Sequence, residues 1–124
     1  MPHERQQIGA LGEQLAAAFL EQRGFRVVAR NFRVRVGEVD LIVERGGERH
    51  FVEVKTRRTD FAGDPLEQLT PRKQQQIVRA AQWYRHRHPT TATCHFSVLG
   101  IDLSSGRPAI EWVPDAFEAD DGAL

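Results

Sequence analysis

The stretch Gly37-Glu-Val-Asp-Leu-Ile-Val-Glu-Arg-Gly-Gly-Glu-Arg-His-Phe-Val-Glu-Val-Lys-Thr56 decides how this chain folds. Residues 38–44 and 50–56 are rich in apolar and β-branched side chains, a composition that predicts two strands. Gly46-Gly47 stands between them and accepts positive φ at no steric cost, as a tight hairpin requires. The two strands are therefore expected to be antiparallel neighbours.

Ionisable side chains interrupt both apolar strands. Because side chains alternate across a strand, Glu53 and Lys55 share one face, about 7 Å apart along the backbone. The hairpin can bring Asp40 of the preceding strand near Glu53. Charges inside apolar strands are costly to bury, and two close carboxylates raise each other's pKa.

A divalent cation would relieve both costs. Mg²⁺ and Mn²⁺ prefer oxygen ligands, and Mg²⁺ is typically held by one or two carboxylates. The spacing therefore predicts a metal site made by Asp40, Glu53 and the backbone carbonyl of Val54. Lys55 would orient or deprotonate an attacking water, or neutralise charge on a phosphate. The competing interpretation is a cross-strand ion pair on an exposed sheet face.

The elements on either side of the hairpin complete a mixed sheet. Thr70-Pro71 predicts a helix start, with a hydroxyl N-cap and proline at the first helical position. A strand after this helix can return to the sheet by a right-handed crossover. The expected elements are a helix over 8–23, strands over 25–34, 38–44 and 50–56, a helix from 71 to before Pro89, and strands over 93–102 and 109–113. The fold class is α/β (α+β mixed), ordered helix-β-β-β-helix-β-β, with a central mixed sheet flanked by helices.

The first helix has two faces of different character. One side has apolar residues at a helical spacing, namely Ile8, Leu11, Leu15, Ala18 and Phe19. The opposite side carries small or apolar residues, namely Gly9, Ala16, Ala17 and Leu20. Glu13 lies among them, and a carboxylate between small side chains can approach another element closely. Glu13 is therefore a candidate to hold a water or a second metal.

Length and composition indicate one ordinary globular domain. The 124 residues are taken as a single domain over 1–124, with a core over 8–117 and an acidic tail over 118–124. Cys94 is the only cysteine, so no intrachain disulfide forms. No apolar run is long enough to span a bilayer, and the N-terminus lacks a secretory pattern, so a cytoplasmic protein without membrane contact is expected.

The charge distribution is more informative than the net charge of zero. Residues 23–35 hold five arginines and no acid, and residues 71–89 hold five lysines or arginines and no acid. These segments flank an acidic centre, so they either cradle a polyanion such as DNA or form solvated faces. The candidate nucleic-acid contacts are Arg30, Arg57, Arg72 and Lys73.

The two strand motifs also carry a resemblance. Gly-Glu-x-Asp-Leu-Ile at 37–42 with Phe-Val-Glu-Val-Lys-Thr-Arg at 51–57 resembles the YraN-like family of small bacterial proteins. That family is regarded as distantly related to restriction-endonuclease-like PD-(D/E)xK nucleases and Holliday-junction resolvases. The likeness covers roughly residues 8–117 and includes Gly12-Glu13, Ala17, Arg30-Asn31 and Lys73.

The resemblance implies roles for individual residues. Asp40, Glu53 and Lys55 match the family's metal and catalytic motif, and Glu13 matches its helix carboxylate. One departure stands on the fourth strand, where His95-Phe96-Ser97 replaces the usual Arg-Phe-Asp. If that aspartate supports the site, Ser97 would weaken it.

The leading hypothesis is a metal-dependent endonuclease that hydrolyses phosphodiester bonds in DNA or a branched nucleic acid. Its cofactor would be Mg²⁺ or Mn²⁺. The alternative keeps the same fold as a catalytically weak or inactive nucleic-acid-binding module. A third interpretation is an interaction protein whose Glu-Lys face packs on a partner, and a homodimer is compatible with the family resemblance.

Overall fold

A computed structural model describes residues 4–57, 69–119 and 124, with the side chains of residues 4–6 outside that description. The predicted loop over 57–69 and the predicted acidic tail fall largely outside the described residues. The helices and strands are α1 (Glu4–Gln22), β1 (Arg26–Val34), β2 (Gly37–Arg45), β3 (Glu48–Arg57), α2 (Pro71–Arg87), β4 (Thr93–Asp102) and β5 (Ala109–Phe117). This order confirms the predicted mixed α/β architecture.

The five strands form one mixed sheet in the order β1-β2-β3-β4-β5. β1, β2 and β3 are antiparallel neighbours, and the hairpin places Arg45 opposite Glu48 with Gly46 at φ 56°. β4 is parallel to β3 without interruption, from Thr93 opposite Glu48 to Asp102 opposite Arg57. Because α2 connects these parallel strands, it is the predicted crossover helix.

The helices cover opposite faces of the sheet. Adjacent residues on β3 therefore belong to different layers, Phe51 to the α2 layer and Val52 to the α1 layer. Both side chains are fully buried. β3 is thus a central strand with two apolar faces, and any polar side chain on it must find a partner or a ligand.

α1 buries the side that carries the small residues, the side expected to approach another element closely. Leu11 is 44% exposed, whereas Ala16, Ala17 and Leu20 are buried. A side chain at Gly12 would collide with the Thr56 hydroxyl, so the helix backbone approaches β3 very closely. Small residues permit this close approach, so the side of α1 that carries Leu11 is turned away from the sheet.

α2 follows its sequence prediction closely. The Thr70 hydroxyl accepts a hydrogen bond from the Lys73 backbone N–H at 3.2 Å, and Pro71 occupies the first turn. The buried residues are those expected: Ile77, Ala80, Ala81 and Tyr84. Trp83 points outward and is 47% exposed.

β5 is longer than predicted, since it continues past Val113 to Phe117. The strand runs through Pro114 because β5 is an edge strand, where the missing N–H of a proline is tolerated. A register shift opposite Phe96 and Val98, together with Asp115 at φ 53°, carries the strand past this point. In the described part of the chain, no helix has the length and apolarity to cross a membrane.

Candidate metal centre

The backbone pairing between β2 and β3 stops just before the candidate site. The last pair is Leu41 with Val52, so Asp40 lies immediately beyond the ladder. There the Asp40 Oδ2 accepts a hydrogen bond from the Val54 N–H at 2.8 Å. The N–H and C=O of one strand residue point to the same edge, so the Val54 carbonyl faces the same opening as Asp40.

The structure brings Asp40 and Glu53 together. Glu53 is only 6% exposed, and its carboxyl group is within hydrogen-bonding reach of that of Asp40. Burial, and then the charge of Glu53, raises the pKa of Asp40 to about 7. The hydrogen bond from Val54 opposes this rise without cancelling it. Two carboxyl groups are thus held in a place that disfavours their joint ionisation.

Glu13 reaches the same place from α1. Its side chain is hydrogen-bonded with Asn31, a β1 residue at φ 49°. Burial raises the pKa of Glu13, the charge of Asp40 raises it further, and the Asn31 contact lowers it. Asparagine tolerates the left-handed region better than most residues, so Asn31 is suited to this turn of the strand. Carboxylates from three separate elements therefore interact here.

Two lysines lie on the α2 side of this cluster. Lys73, in the capped first turn of α2, places its Nζ 3.7 Å from Oε1 of Glu53. Lys55 follows Glu53 by two residues on the regularly paired β3, so both share the α2 face. Gly100 stands opposite Lys55 on β4 and leaves room beside it. Lys73, rather than Lys55, makes the ion pair with Glu53.

The predicted nucleic-acid contacts have different surroundings. Arg30 on β1 and Arg72 in the first turn of α2 are exposed. Arg57 is half-buried and donates to Oδ2 of Asp102 at 2.9 Å. A role for these residues with Lys73 in binding nucleic acid stays a prediction.

Ser97 does not belong to this site. It is buried in the α1 layer, with its Oγ 2.8 Å from Nδ1 of His50. Glu53 faces the other layer, where its partner on β4 is Val98. The expectation that Ser97 weakens the carboxylate cluster is therefore wrong, because the sheet lies between the two side chains.

Comparison with known proteins places this arrangement in a family. Residues 12–101 match the family described as "Uncharacterised protein family UPF0102". The chain belongs to the UPF0102 family. The matched span holds every residue of the carboxylate cluster, and membership confirms the resemblance to YraN-like proteins drawn from the two strand motifs.

Individual UPF0102 proteins match this chain over nearly their whole length. A relative from Xanthomonas euvesicatoria is 44% identical over 123 residues, covering 98% of this chain and 99% of its own. One from Geobacter sulfurreducens is 44% identical over 118 residues, covering 94% and 92%. One from Chlorobium chlorochromatii is 38% identical over 122 residues, covering 94% and 95%. This chain and these UPF0102 relatives are thus similar in length.

Sequence reasoning missed two members of the site in this UPF0102 chain. Asn31 was quoted only within the family resemblance, although it precedes the strand that carries Asp40 and pairs with Glu13. Lys73 was assigned to nucleic acid rather than to Glu53. No local sequence pattern pairs Lys73 with Glu53, since their ion pair depends on how α2 packs against the sheet.

Proposed function

We propose that this chain is a metal-dependent nuclease that hydrolyses phosphodiester bonds in DNA or a branched nucleic acid, with Mg²⁺ or Mn²⁺ as its cofactor. The observation that carries the proposal is the contact between the carboxyl groups of Asp40 and Glu53 at the end of the β2–β3 ladder. Such a pair is unfavourable unless a proton or a cation lies between the two groups.

The donor atoms fit the proposed cation. Carboxylate oxygens of Asp40 and Glu53 and the carbonyl oxygen of Val54 form an all-oxygen set, the kind that Mg²⁺ and Mn²⁺ prefer. The Val54 N–H donates to Oδ2 of Asp40 and so holds this carboxylate beside the Val54 edge of β3. A bound cation would supply positive charge opposite the charge that develops on a phosphodiester during hydrolysis.

The remaining residues have roles set by their positions. Lys55, on the same strand face as Glu53, would donate to a phosphate oxygen or orient the attacking water. Lys73 would hold the Glu53 carboxylate in place through its ion pair. Glu13, fixed by Asn31, would hold a water on the α1 side of Asp40. Arg30 and Arg72 are exposed and would contact phosphates of the nucleic-acid backbone.

The test is a cleavage assay with labelled single-stranded, duplex and four-way substrates in Mn²⁺ or Mg²⁺. Asp40→Asn and Lys55→Ala are each expected to lower the cleavage rate by about 10²-fold or more. Glu111→Gln, at an exposed position on β5, is the matched control and should cleave like the unaltered chain. Equal activity in Asp40→Asn and the control would refute the assignment.

A second candidate function is nucleic-acid binding without turnover. It is favoured by Lys73, whose amine already places a positive charge 3.7 Å from Glu53. This reading predicts salt-dependent binding of the same substrates with no product under either cation. Calorimetry with Mn²⁺ separates the two, since binding that is lost in Asp40→Asn supports the enzyme.

A further inference from the structure

A second polar cluster lies at the other end of β3, in the α1 layer. His50 on β3 and His95 on β4 are direct partners in the parallel ladder. Their rings are stacked, with centroids 4.5 Å apart and planes at 16°. Glu48 precedes His50 by two residues, and its Oε1 is 3.0 Å from Nε2 of His50. Two imidazoles and a carboxylate thus share one side of two neighbouring strands.

The three side chains can converge on one ion. One nitrogen from each ring and one Glu48 oxygen all lie within 4.8 Å of one another. Ligand atoms around a tetrahedral zinc are about 3.3 Å apart, given bonds of about 2.0–2.1 Å. The Glu48–His50 pair already meets this spacing. His95 is 21% exposed and Glu48 is 40% exposed, so both have room to close the remaining gap.

Each imidazole has a hydrogen-bonding partner at Nδ1, on the far side of the ring from Nε2. Nδ1 of His95 is 2.7 Å from Oδ1 of Asp115, and Nδ1 of His50 is 2.8 Å from Oγ of Ser97. Metal-binding histidines typically donate their other ring N–H to a carboxylate or a similar acceptor. The Ser97 hydroxyl can accept as well as donate, so His50 can carry its proton on Nδ1. Both Nε2 atoms then have a lone pair available.

The contacts at Nε2 are ones that a cation can replace. Nε2 of His95 is 2.8 Å from the Thr93 hydroxyl, which can turn to its other contact, the Gly47 carbonyl at 3.2 Å. Glu48 also faces Arg45 at 3.7 Å, but both side chains are well exposed, and such pairs contribute little. Phe25 and Trp112 pack around His50 with ring centroids 5.2 and 5.4 Å away, which shields the inner side from water.

We propose that Glu48, His50 and His95 bind a zinc-class divalent cation, with water in the fourth position at the exposed rim. Two imidazoles and one carboxylate suit Zn²⁺ and neighbouring late transition metals rather than Mg²⁺. The site is separate from the Asp40–Glu53 pair, because Glu53 faces the other layer and the pair offers oxygen donors only. A bound ion would join β3 to β4, and Asp115 would extend the connection to β5.

The test is a titration of the full-length Asp40→Asn chain with Zn²⁺ by calorimetry and with Co²⁺ by visible absorbance. This background removes one of the two carboxylates proposed to bind Mg²⁺ or Mn²⁺. One equivalent of either metal should bind, and tetrahedral Co²⁺ should give intense visible bands. Adding Glu48→Gln or His95→Ala should lower the Zn²⁺ affinity by about 10-fold to 100-fold or more. Adding Asp115→Asn should lower it by about 10-fold.

Matched controls separate this site from adventitious binding. His86→Ala removes an exposed histidine of α2, and Cys94→Ser removes the only thiol, so neither should change the affinity. Circular dichroism of each variant confirms that it is folded, and Glu48→Gln, at an exposed side chain, keeps the test valid if His95→Ala unfolds. Zn²⁺ affinity that is unchanged in folded Glu48→Gln, or that is lost in His86→Ala or Cys94→Ser, would overturn the proposal.

Discussion

The two ends of β3 carry polar clusters that respond to burial in opposite ways. At one end Glu53 meets Asp40, a group of like charge, and the pKa of Asp40 rises to about 7. At the other end His50 has a hydrogen-bonding partner at each ring nitrogen, Ser97 at Nδ1 and Glu48 at Nε2. The first cluster opposes folding until a proton or cation arrives, whereas the second is already satisfied. A substitution that removes the polar group should therefore raise the stability of the fold at the Asp40 end and lower it at the His50 end.

The largest expected effect is the pH dependence of stability at the Asp40 end. Folded Asp40 keeps its proton to about pH 7, whereas the unfolded group loses it near pH 3.9. Between these values the folded chain binds more protons, so the free energy of unfolding falls as pH rises through this window. Each pKa unit corresponds to about 1.4 kcal/mol, so the loss amounts to a few kcal/mol by pH 8.

Asp40→Asn should remove this dependence and stabilise the chain above pH 7, since an amide oxygen can still accept from the Val54 N–H. Urea unfolding at pH 5 to 8 in the presence of a chelator measures it. Glu111→Gln serves as the control and should retain the slope of the unaltered chain. If Asp40→Asn and the unaltered chain lose the same amount of stability as pH rises, the prediction is wrong.

The next effect is stabilisation by Mn²⁺ at neutral pH. A ligand that binds only the folded state adds about 2.7 kcal/mol when present at 100 times its dissociation constant. The gain should appear in the unaltered chain and vanish in Asp40→Asn, since the cation replaces the proton between the carboxylates. Thermal unfolding with and without Mn²⁺ tests this, and an equal shift in both chains would place Mn²⁺ elsewhere.

Ser97→Ala should lower the stability of the chain, whereas Asp40→Asn should raise it. It leaves Nδ1 of the buried His50 without its partner, and an unsatisfied buried polar group costs about 1–3 kcal/mol. Denaturant unfolding at pH 7 measures the loss, with Ser104→Ala, at an exposed turn, as the control. A stability equal to that of the control would show that the histidine cluster is not held by its hydrogen bonds.

The smallest expected effect concerns the position of Lys73. Thr70→Ala removes the N-cap of α2 and should cost about 1 kcal/mol. Because Lys73 lies in the turn that this cap fixes, its ion pair with Glu53 should also loosen and Mn²⁺ affinity should change. Thr70→Ser keeps the hydroxyl and should retain the stability and the Mn²⁺ affinity of the unaltered chain. If it does not, the cap does not position Lys73.

The sequence predicts the fold well where one signal dominates. The hairpin, the N-cap and the crossover follow from local chemistry, and the bounds of β4 match at both ends. Both sides of α1 are apolar, and the close contact between Gly12 and Thr56 decides which of them is buried. The predicted end of β5 at Val113 was wrong because an edge strand tolerates a proline, and β5 continues through Pro114 to Phe117.

The site was predictable to the extent that it is local. Strand alternation and one hairpin suffice to bring Asp40 to Glu53. The position of Lys73 depends on how α2 packs against the sheet, and the histidine pair depends on the register between β3 and β4, which are far apart in sequence. Alternate polar residues on β3 and β4 were a visible signal for the second cluster, but only the parallel ladder shows that His50 and His95 are opposite each other.

The two outer strands also govern how copies of this chain can meet. β1 carries exposed arginines and an irregularity between Val27 and Ala29, and β5 carries Pro114 beside its own irregularity. Both features hinder the addition of a further strand from another molecule, which is the usual route to fibrous aggregation. The sheet of each copy is thereby kept at five strands.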